Sequence, residues 1–244
     1  MKNREIACII PARYGSTRFP AKVLQPLGEK TVLQRVYETA LASEGISSVI
    51  VATDDERIAS AVVDKNVRVV LTSSECRSGS ERVAEVLRSC SADWVIHLQA
   101  DEPFLLPEHL EPLVHYAYSP EAKMATLARR VEASEEVSSP HRVKVVTSED
   151  GYALYFSRLP IPYQSEEYLI HIGVYAYLPE ILLQVLSYPP APSEKAENLE
   201  QLRFLHHRIP IRVFSVEGEF LSIDTPEDLE QARILLSRKE KGGK

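Results

Sequence analysis

Cysteine is scarce in this chain and unpatterned: Cys8, Cys76 and Cys90 are the three among 244 residues, and none shares a CxxC spacing. That excludes a disulfide framework and a cysteine zinc site. Cys8, inside an apolar run, reads as a small core residue. No apolar stretch approaches the ~20 residues needed to span a bilayer, and no leader-like segment opens the chain. The expectation is a protein of the reducing cytoplasm. Basic excess is missing too: 28 Lys and Arg face 35 Asp and Glu, a net charge of -7, whereas a nucleic-acid footprint is basic. Internal repeats and low-complexity linkers are also absent.

What is present is a chain 44% hydrophobic, enough for one large α/β domain or a domain with a sub-domain. Short β-branched runs at Glu5–Ile10, Ser48–Ala52, Val67–Leu71 and Trp94–Leu98 alternate with helical patterns at Thr31–Ser43, Asp54–Lys65 and Ser80–Ser89. Such alternation predicts a mainly parallel sheet with helices on both faces. Thr53–Glu56 and Ser78–Glu81 fit a capping box, and Thr225-Pro226 fits a capped helix start. The middle differs. Met124–Val131, Arg142–Thr147, Tyr152–Phe156 and Tyr168–Tyr177 are strand-like, and Leu159–Tyr163 is a proline-stiffened connector. These predict an antiparallel insert at about 123–178 that completes a site or forms a dimer interface. A helix at Ala196–His207, a strand at Ile211–Val216 and a helix at Pro226–Leu236 return to the main domain, and Arg238–Lys244 reads as a frayed end.

Four features carry chemistry. After the first strand, Ile9-Ile10-Pro11-Ala12-Arg13-Tyr14-Gly15-Ser16-Thr17-Arg18-Phe19-Pro20-Ala21-Lys22 sets three cations in a kinked loop. The loop has neither G-x-G-x-x-G nor G-x-x-x-x-G-K-[ST], so it is neither a dinucleotide fingerprint nor a Walker loop. Arg13, Arg18 and Lys22 would then hold phosphate through side-chain charge; a solvated basic turn is the bland alternative. Gln99-Ala100-Asp101-Glu102-Pro103 follows a strand, so Asp101 is either a Mg²⁺ ligand or a turn former before Pro103. Asp224 is either a second ligand or a helix-start acid. Arg77-Ser78-Gly79-Ser80-Glu81-Arg82 offers free amides at a helix N-terminus, or simply a cap. The strand ends bring all four to one sheet edge, where ligands of open α/β sheets bind. Together they suggest a nucleoside triphosphate, a magnesium ion and a transfer reaction.

These residues closely resemble the 3-deoxy-manno-octulosonate cytidylyltransferase family over nearly the whole chain. The run from Ile9 to Lys22 is similar to the nucleotide signature of sugar-activating cytidylyltransferases, including those acting on sialic acids. Val51–Asp55, Ser78–Arg82 and Gln99–Pro103 fit the same pattern. Matches specific to the octulosonate (Kdo) enzymes are Tyr152–Arg158, His171–Tyr175, Leu199–Arg203 and Asp224–Leu229.

The resemblance implies a Rossmann-like nucleotidyltransferase fold, one domain over 1–244, Mg²⁺ dependence, a homodimer and a role in lipopolysaccharide synthesis. The implied reaction is CTP plus Kdo to CMP-Kdo and pyrophosphate. It implies Arg13, Lys22 and Asp101 as catalytic, and Ala12, Arg13, Lys22, Ser78, Gly79 and Gln99 as nucleotide contacts. Arg158, His171, Glu200 and Gln201 would bind the sugar, and Asp101 and Asp224 the metal. On its own strand pattern His171 reads as a core histidine, and Tyr152, Tyr155 and Tyr175 as packing residues. Ala21 and Ala100 stand where the family commonly has glycine, and Val216–Ser222 departs from the usual lead-in to Asp224. A Cβ at either alanine would resist positive φ. Rival expectations keep the chemistry with sialic acid or 8-amino-8-deoxy-Kdo as acceptor, or make the chain a non-catalytic nucleotide-sugar-binding dimer.

Overall fold

Seven consecutive residues, Ile6–Ala12, form strand β1 in the computed structural model, and all seven are buried. A strand covered on both faces needs an unbroken apolar run, and this one supplies it. The structure describes residues 4–15 and 19–242. Arg18 of the basic loop lies outside them. The chain divides into two units, Met1–Glu111 with Glu219–Lys244, and Pro112–Gly218.

In the first unit β1 is flanked by β4 (Ser48–Thr53) and β6 (Trp94–Leu98), and β4 by β5 (Val67–Leu71), every pairing parallel. A short hairpin, β2 (Pro26–Leu27) with β3 (Lys30–Thr31), precedes α1 (Val32–Ala42). Thr31 caps α1 by accepting from the Gln34 amide at 3.1 Å, and Val32, Leu33, Val36, Tyr37 and Ala40 face inward. That spacing is one helical stripe. The crossovers α2 (Glu56–Ala61) and α3 (Gly79–Leu87) follow β4 and β5. The last helix, α9 (Pro226–Gly242), packs Leu229 and Ala232 with Leu27, Val32, Phe104, Leu221 and Ile223. This cluster brings the chain around Asp224 back to the sheet edge.

Helix α4 (Pro107–Tyr116) carries the chain into the second unit, which contains the expected 123–178 segment. There β7 (Met124–Glu132) pairs antiparallel with β10 (Glu167–Tyr177), and β10 with β8 (Lys144–Thr147). Strand β8 pairs with β9 (Ala153–Ser157), and β11 (Arg212–Ser215) runs parallel to β7. Helices α5 (Glu135–Ser138), α6 (Pro179–Leu186), α7 (Pro192–Glu197) and α8 (Gln201–His206) complete it.

Several expected elements change. The helix expected over Asp54–Lys65 is only Glu56–Ala61: it starts later because Asp55, not Thr53, is its cap and accepts from the Arg57 amide at 2.9 Å, and it ends where Val62 turns extended at φ -84°, ψ 103°. The single helix expected at Ala196–His207 is two helices, broken where Asn198 turns left-handed at φ 53°. The tail expected to fray continues α9 to Gly242. Ser78 and Thr225 do cap as expected, accepting from Glu81 and Asp228.

Candidate active site

The carboxyl ends of β1 and β6, the turn before α3 and the start of α9 border a cavity of about 410 Å³. Arg13, Lys22, Ser78, Gly79, Gln99, Asp101 and Asp224 all line it, with Pro11, Val23, Cys76, Arg77, Arg82 and Ala100. Ala12 is buried at the end of β1 between two lining residues.

Lys22 opens a short 3₁₀ turn, Lys22–Leu24, directly after Ala21. Its Nζ donates to Asp101 Oδ2 at 2.5 Å and to Asp224 Oδ1 at 2.8 Å. The Lys22 side chain is only 12% exposed. Burial alone would lower its pKa, but Asp101 and then Asp224 outweigh that, and the ammonium is held above its ordinary value. The backbone fixes the two acids near each other as well: the Ile223 amide donates to the Asp101 carbonyl at 3.0 Å. Asp228 accepts from the amides of Asp224 and Thr225 at 3.0 and 2.8 Å, which anchors the start of α9. Ser222 Oγ donates to Glu102 at 2.7 Å. The unusual lead-in is therefore accommodated: Phe220 and Leu221 are buried, and Phe220 meets His109 edge-on at 4.8 Å between ring centroids.

The α3 side is built for close approach. A Cβ on Gly79 would stand 3.2 Å from both His97 Nε2 and Pro11 Cγ and 3.5 Å from Gln99 Oε1. Glycine there keeps the helix start against the sheet edge. Glu81 holds Arg77, with the Arg77 amide 2.7 Å from Glu81 Oε2. Arg82 is buried, bonding Asp54 at 3.0 Å and Thr72 Oγ1, and so ties α3 to the ends of β4 and β5. The Gln99 amide nitrogen lies 3.1 Å from His97 Nε2. Burial pushes His97 down to about 4, so this imidazole is neutral near pH 7. Arg82, His97 and Asp54 were missed as site-building residues; Arg82 and Asp54 stood inside recognised motifs, while His97 carried no signal beyond a polar residue in a buried strand.

Ala21 has φ 56° and ψ 22°, the left-handed region that glycine tolerates best. Among described non-glycine residues the others there are Gln164, Asn198 and Arg208, so Ala100 carries no such cost.

Arg158, His171, Glu200 and Gln201 lie in the second unit. Arg158 donates from Nε to the Glu197 carbonyl at 2.7 Å, from Nη1 to Pro140 at 2.9 Å and from Nη2 to Asn198 at 3.1 Å. It thus clasps the bend between α7 and α8, whose first residues are Glu200, the cap, and Gln201. A buried Arg203–Glu194 pair, at 2.8 and 2.5 Å, locks the same bend. Lys144, fully buried, donates to the carbonyls of Ser139, Arg142 and Arg158 at 3.0, 2.5 and 2.5 Å. His171 in β10 meets Thr126 Oγ1 at 2.8 Å and lies between Phe156 and Tyr175. Burial lowers it to about 3. Burial and then the charge of Glu200 raise Tyr175, so Glu200 sits within electrostatic reach of this cluster. Tyr175 packs as expected, whereas Tyr155 is 37% exposed.

Residues 7–211 match the family model described as Cytidylyltransferase. The chain is 44% identical to the 3-deoxy-manno-octulosonate cytidylyltransferase of Solibacter usitatus, over 95% of this chain and 94% of that protein. It is 41% identical to the protein of the same name from Porphyromonas gingivalis, over 94% and 96%. A solved CMP:2-keto-3-deoxy-manno-octonic acid synthetase, complexed with CTP, superposes with a TM-score of 0.90 at 39% identity, covering 96% of this chain and 99% of that one. The sequence motifs, the parallel sheet with its edge cavity and these relatives agree: the chain belongs to the cytidylyltransferase family, among the 3-deoxy-manno-octulosonate cytidylyltransferases.

Proposed function

We propose that this chain transfers the cytidylyl group of CTP to 3-deoxy-manno-octulosonate, giving CMP-Kdo and pyrophosphate. The observation that carries the reading is the convergence of Lys22, Asp101 and Asp224 on one point of the cavity that also holds Arg13, Ser78 and Gly79. Basic side chains and helix amides suit a polyphosphate. Two carboxylates converging on one cation suit Mg²⁺, which is held by one or two carboxylates with phosphate and water supplying the rest. Lys22 is the stand-in that tests the fit, because a single ammonium already satisfies both acids. Among the described residues no group of three or more His, Cys, Asp or Glu forms a metal cluster, so a site of this kind depends on the substrate for its remaining ligands.

The anomeric hydroxyl oxygen of Kdo bonds to the α-phosphorus of CTP as the bond to the bridging oxygen breaks and pyrophosphate leaves. Asp101 and Asp224 would hold the magnesium, which when bound polarises the α-phosphate and favours the ionised hydroxyl. Arg13 and Lys22 offset charge on the phosphates, and such a preorganised donor is typically worth ~3–4 kcal/mol. Ser78 spends its hydroxyl on the cap, so its part is to fix the amides at the start of α3. Gln99, braced by His97, presents an amide to the nucleotide. In the second unit Glu200, Gln201 and His171 bind sugar hydroxyls, and Arg158 positions the bend that carries Glu200.

The protein acts as a homodimer in the cytoplasm, supplying lipopolysaccharide synthesis. Leu154, Leu159 and Tyr163, at 62, 69 and 85% exposure, are large apolar side chains that a partner subunit would cover. Among described residues no helix is long and apolar enough to cross a membrane.

The test is pyrophosphate release and product mass with each of four nucleoside triphosphates, with Kdo, its 8-amino analogue or sialic acid, with and without Mg²⁺. CMP-Kdo from CTP and Kdo in the presence of Mg²⁺ is the expected product. Absence of any CMP-sugar would overturn the enzyme reading, turnover confined to sialic acid or the amino sugar would overturn the acceptor, and metal-independent turnover would overturn the role of the two acids.

A further inference from the structure

Both proposed metal ligands are already occupied by one side chain. Lys22 Nζ lies 2.5 Å from Asp101 Oδ2 and 2.8 Å from Asp224 Oδ1. A magnesium ion bonds carboxylate oxygen at ~2.0–2.1 Å. An ion on these two oxygens would therefore fall on the position the ammonium holds, and the two cations exclude each other there. We infer that Lys22 is a placeholder cation: it closes the carboxylate pair against divalent metal until a nucleotide polyphosphate draws the ammonium away. The inference rests on the proposed metal role of Asp101 and Asp224.

The loop is built for such a handover. The backbone of Lys22 is fixed, with its amide on the Phe19 carbonyl at 3.3 Å and its carbonyl accepting from the Gln25 amide at 3.1 Å. Only the four-carbon stem has to move, and it lines the same cavity as Arg13 and the α3 start, where phosphates would sit. A flexible ammonium suits this exchange in a way that a planar guanidinium does not. Without nucleotide, the lysine relieves the repulsion between two carboxylates aimed at one point. With nucleotide, phosphate oxygens replace Asp101 and Asp224 as its partners, and the metal replaces it between the acids. Metal and nucleotide then bind with positive coupling, each strengthening the other through one side chain.

The probe is Mn²⁺, titrated without nucleotide into wild type, Lys22→Met and Lys22→Arg, with free metal read by electron paramagnetic resonance. Near-UV circular dichroism checks that each variant is folded. Lys22→Met should bind Mn²⁺ more tightly than wild type by about tenfold or more, since it removes a unit charge a few ångström from the ion. Lys22→Arg keeps the charge and should bind as weakly as wild type. The gain should vanish in Lys22→Met combined with Asp101→Asn. Equal affinity of wild type and Lys22→Met overturns the placeholder role, as does a gain that survives Asp101→Asn. The metal reading is judged separately, from the Mn²⁺ spectrum of wild type and Asp101→Asn with a non-cleavable CTP analogue bound. Identical spectra there would overturn that reading, while different spectra with no gain in Lys22→Met would overturn the placeholder alone.

Discussion

Replacing Ala21 by glycine should stabilise the protein, although the change removes a methyl group and adds chain freedom. Ala21 stands at φ 56°, ψ 22°, and is held there from both sides: its amide donates to the Tyr14 carbonyl at 2.9 Å and its carbonyl accepts from Leu24 at 3.0 Å. An L-residue in this region costs ~1–2 kcal/mol. Glycine escapes that cost but gives up ~0.4–1 kcal/mol more chain entropy on folding. The net gain for Ala21→Gly is ~0.5–1 kcal/mol, or ~1–4 °C in melting temperature for a chain of this size. Ala21→Val is the opposite control: a β-branched residue fits the left-handed region worse, so it should lose stability. Urea unfolding and thermal melting of the three proteins give the answer. A lower melting point for Ala21→Gly, or a neutral Ala21→Val, would refute the reasoning and mean that the loop carries no backbone strain at this position.

Asp101→Asn and Asp224→Asn should each reduce kcat for cytidylyl transfer by ~10²–10³-fold while leaving the melting temperature within a few degrees, measured by pyrophosphate release and by melting. Arg158→Ala, which frees the Glu197 and Asn198 carbonyls of the α7–α8 bend and that of Pro140, should cost ~1–3 kcal/mol in urea unfolding and raise KM for the sugar more than for CTP. His97 titrates near 4 when folded against ~6.5 when unfolded. The unfolded chain therefore binds the extra proton between those values, and stability falls as pH drops through that window, by up to ~2 kcal/mol at pH 5; His171, lowered to about 3, adds a similar loss, so His97→Gln should reduce, not abolish, the difference between urea unfolding at pH 7 and pH 5. Glutamate at Leu159 and Tyr163 together should turn the proposed homodimer into a monomer by light scattering without unfolding it.

The strands of the first unit were legible because burial on both faces leaves a continuous apolar run: Val67–Leu71 and Trp94–Leu98 have the bounds their composition predicts. Helices were less so where the boundary depends on one dihedral. Asn198 is a residue type that tolerates the left-handed region, but the helical pattern of Ala196–His207 runs across it, so the signal was overridden, and that residue splits the segment in two. Helices α4 and α6 escaped because each carries a proline, at Pro112 and Pro179, in short apolar stretches that also fit loops. Pro179, like Pro107 at the start of α4, stands in the first turn, where no amide bond is lost, whereas Pro112 lies inside its helix.

A charged residue's identity is visible in sequence, but the fate of its donors is not. Lys22 and Arg158 both read as cations waiting for an anionic ligand. Folding spends them differently. Arg158 puts three N–H groups on carbonyls of its own unit, contacts that a sugar would have to displace at the expense of the bend carrying Glu200. Lys22 spends its charge on two carboxylates from positions 101 and 224, contacts that a polyphosphate and a divalent ion would replace in kind. Each acid keeps a cationic partner in that exchange, since a divalent ion takes the place of the ammonium and neutralises both carboxylates, while the lysine trades carboxylate for phosphate. Of the two residues, therefore, Lys22 is the one built to change partners during turnover, and Arg158 the one built to keep them.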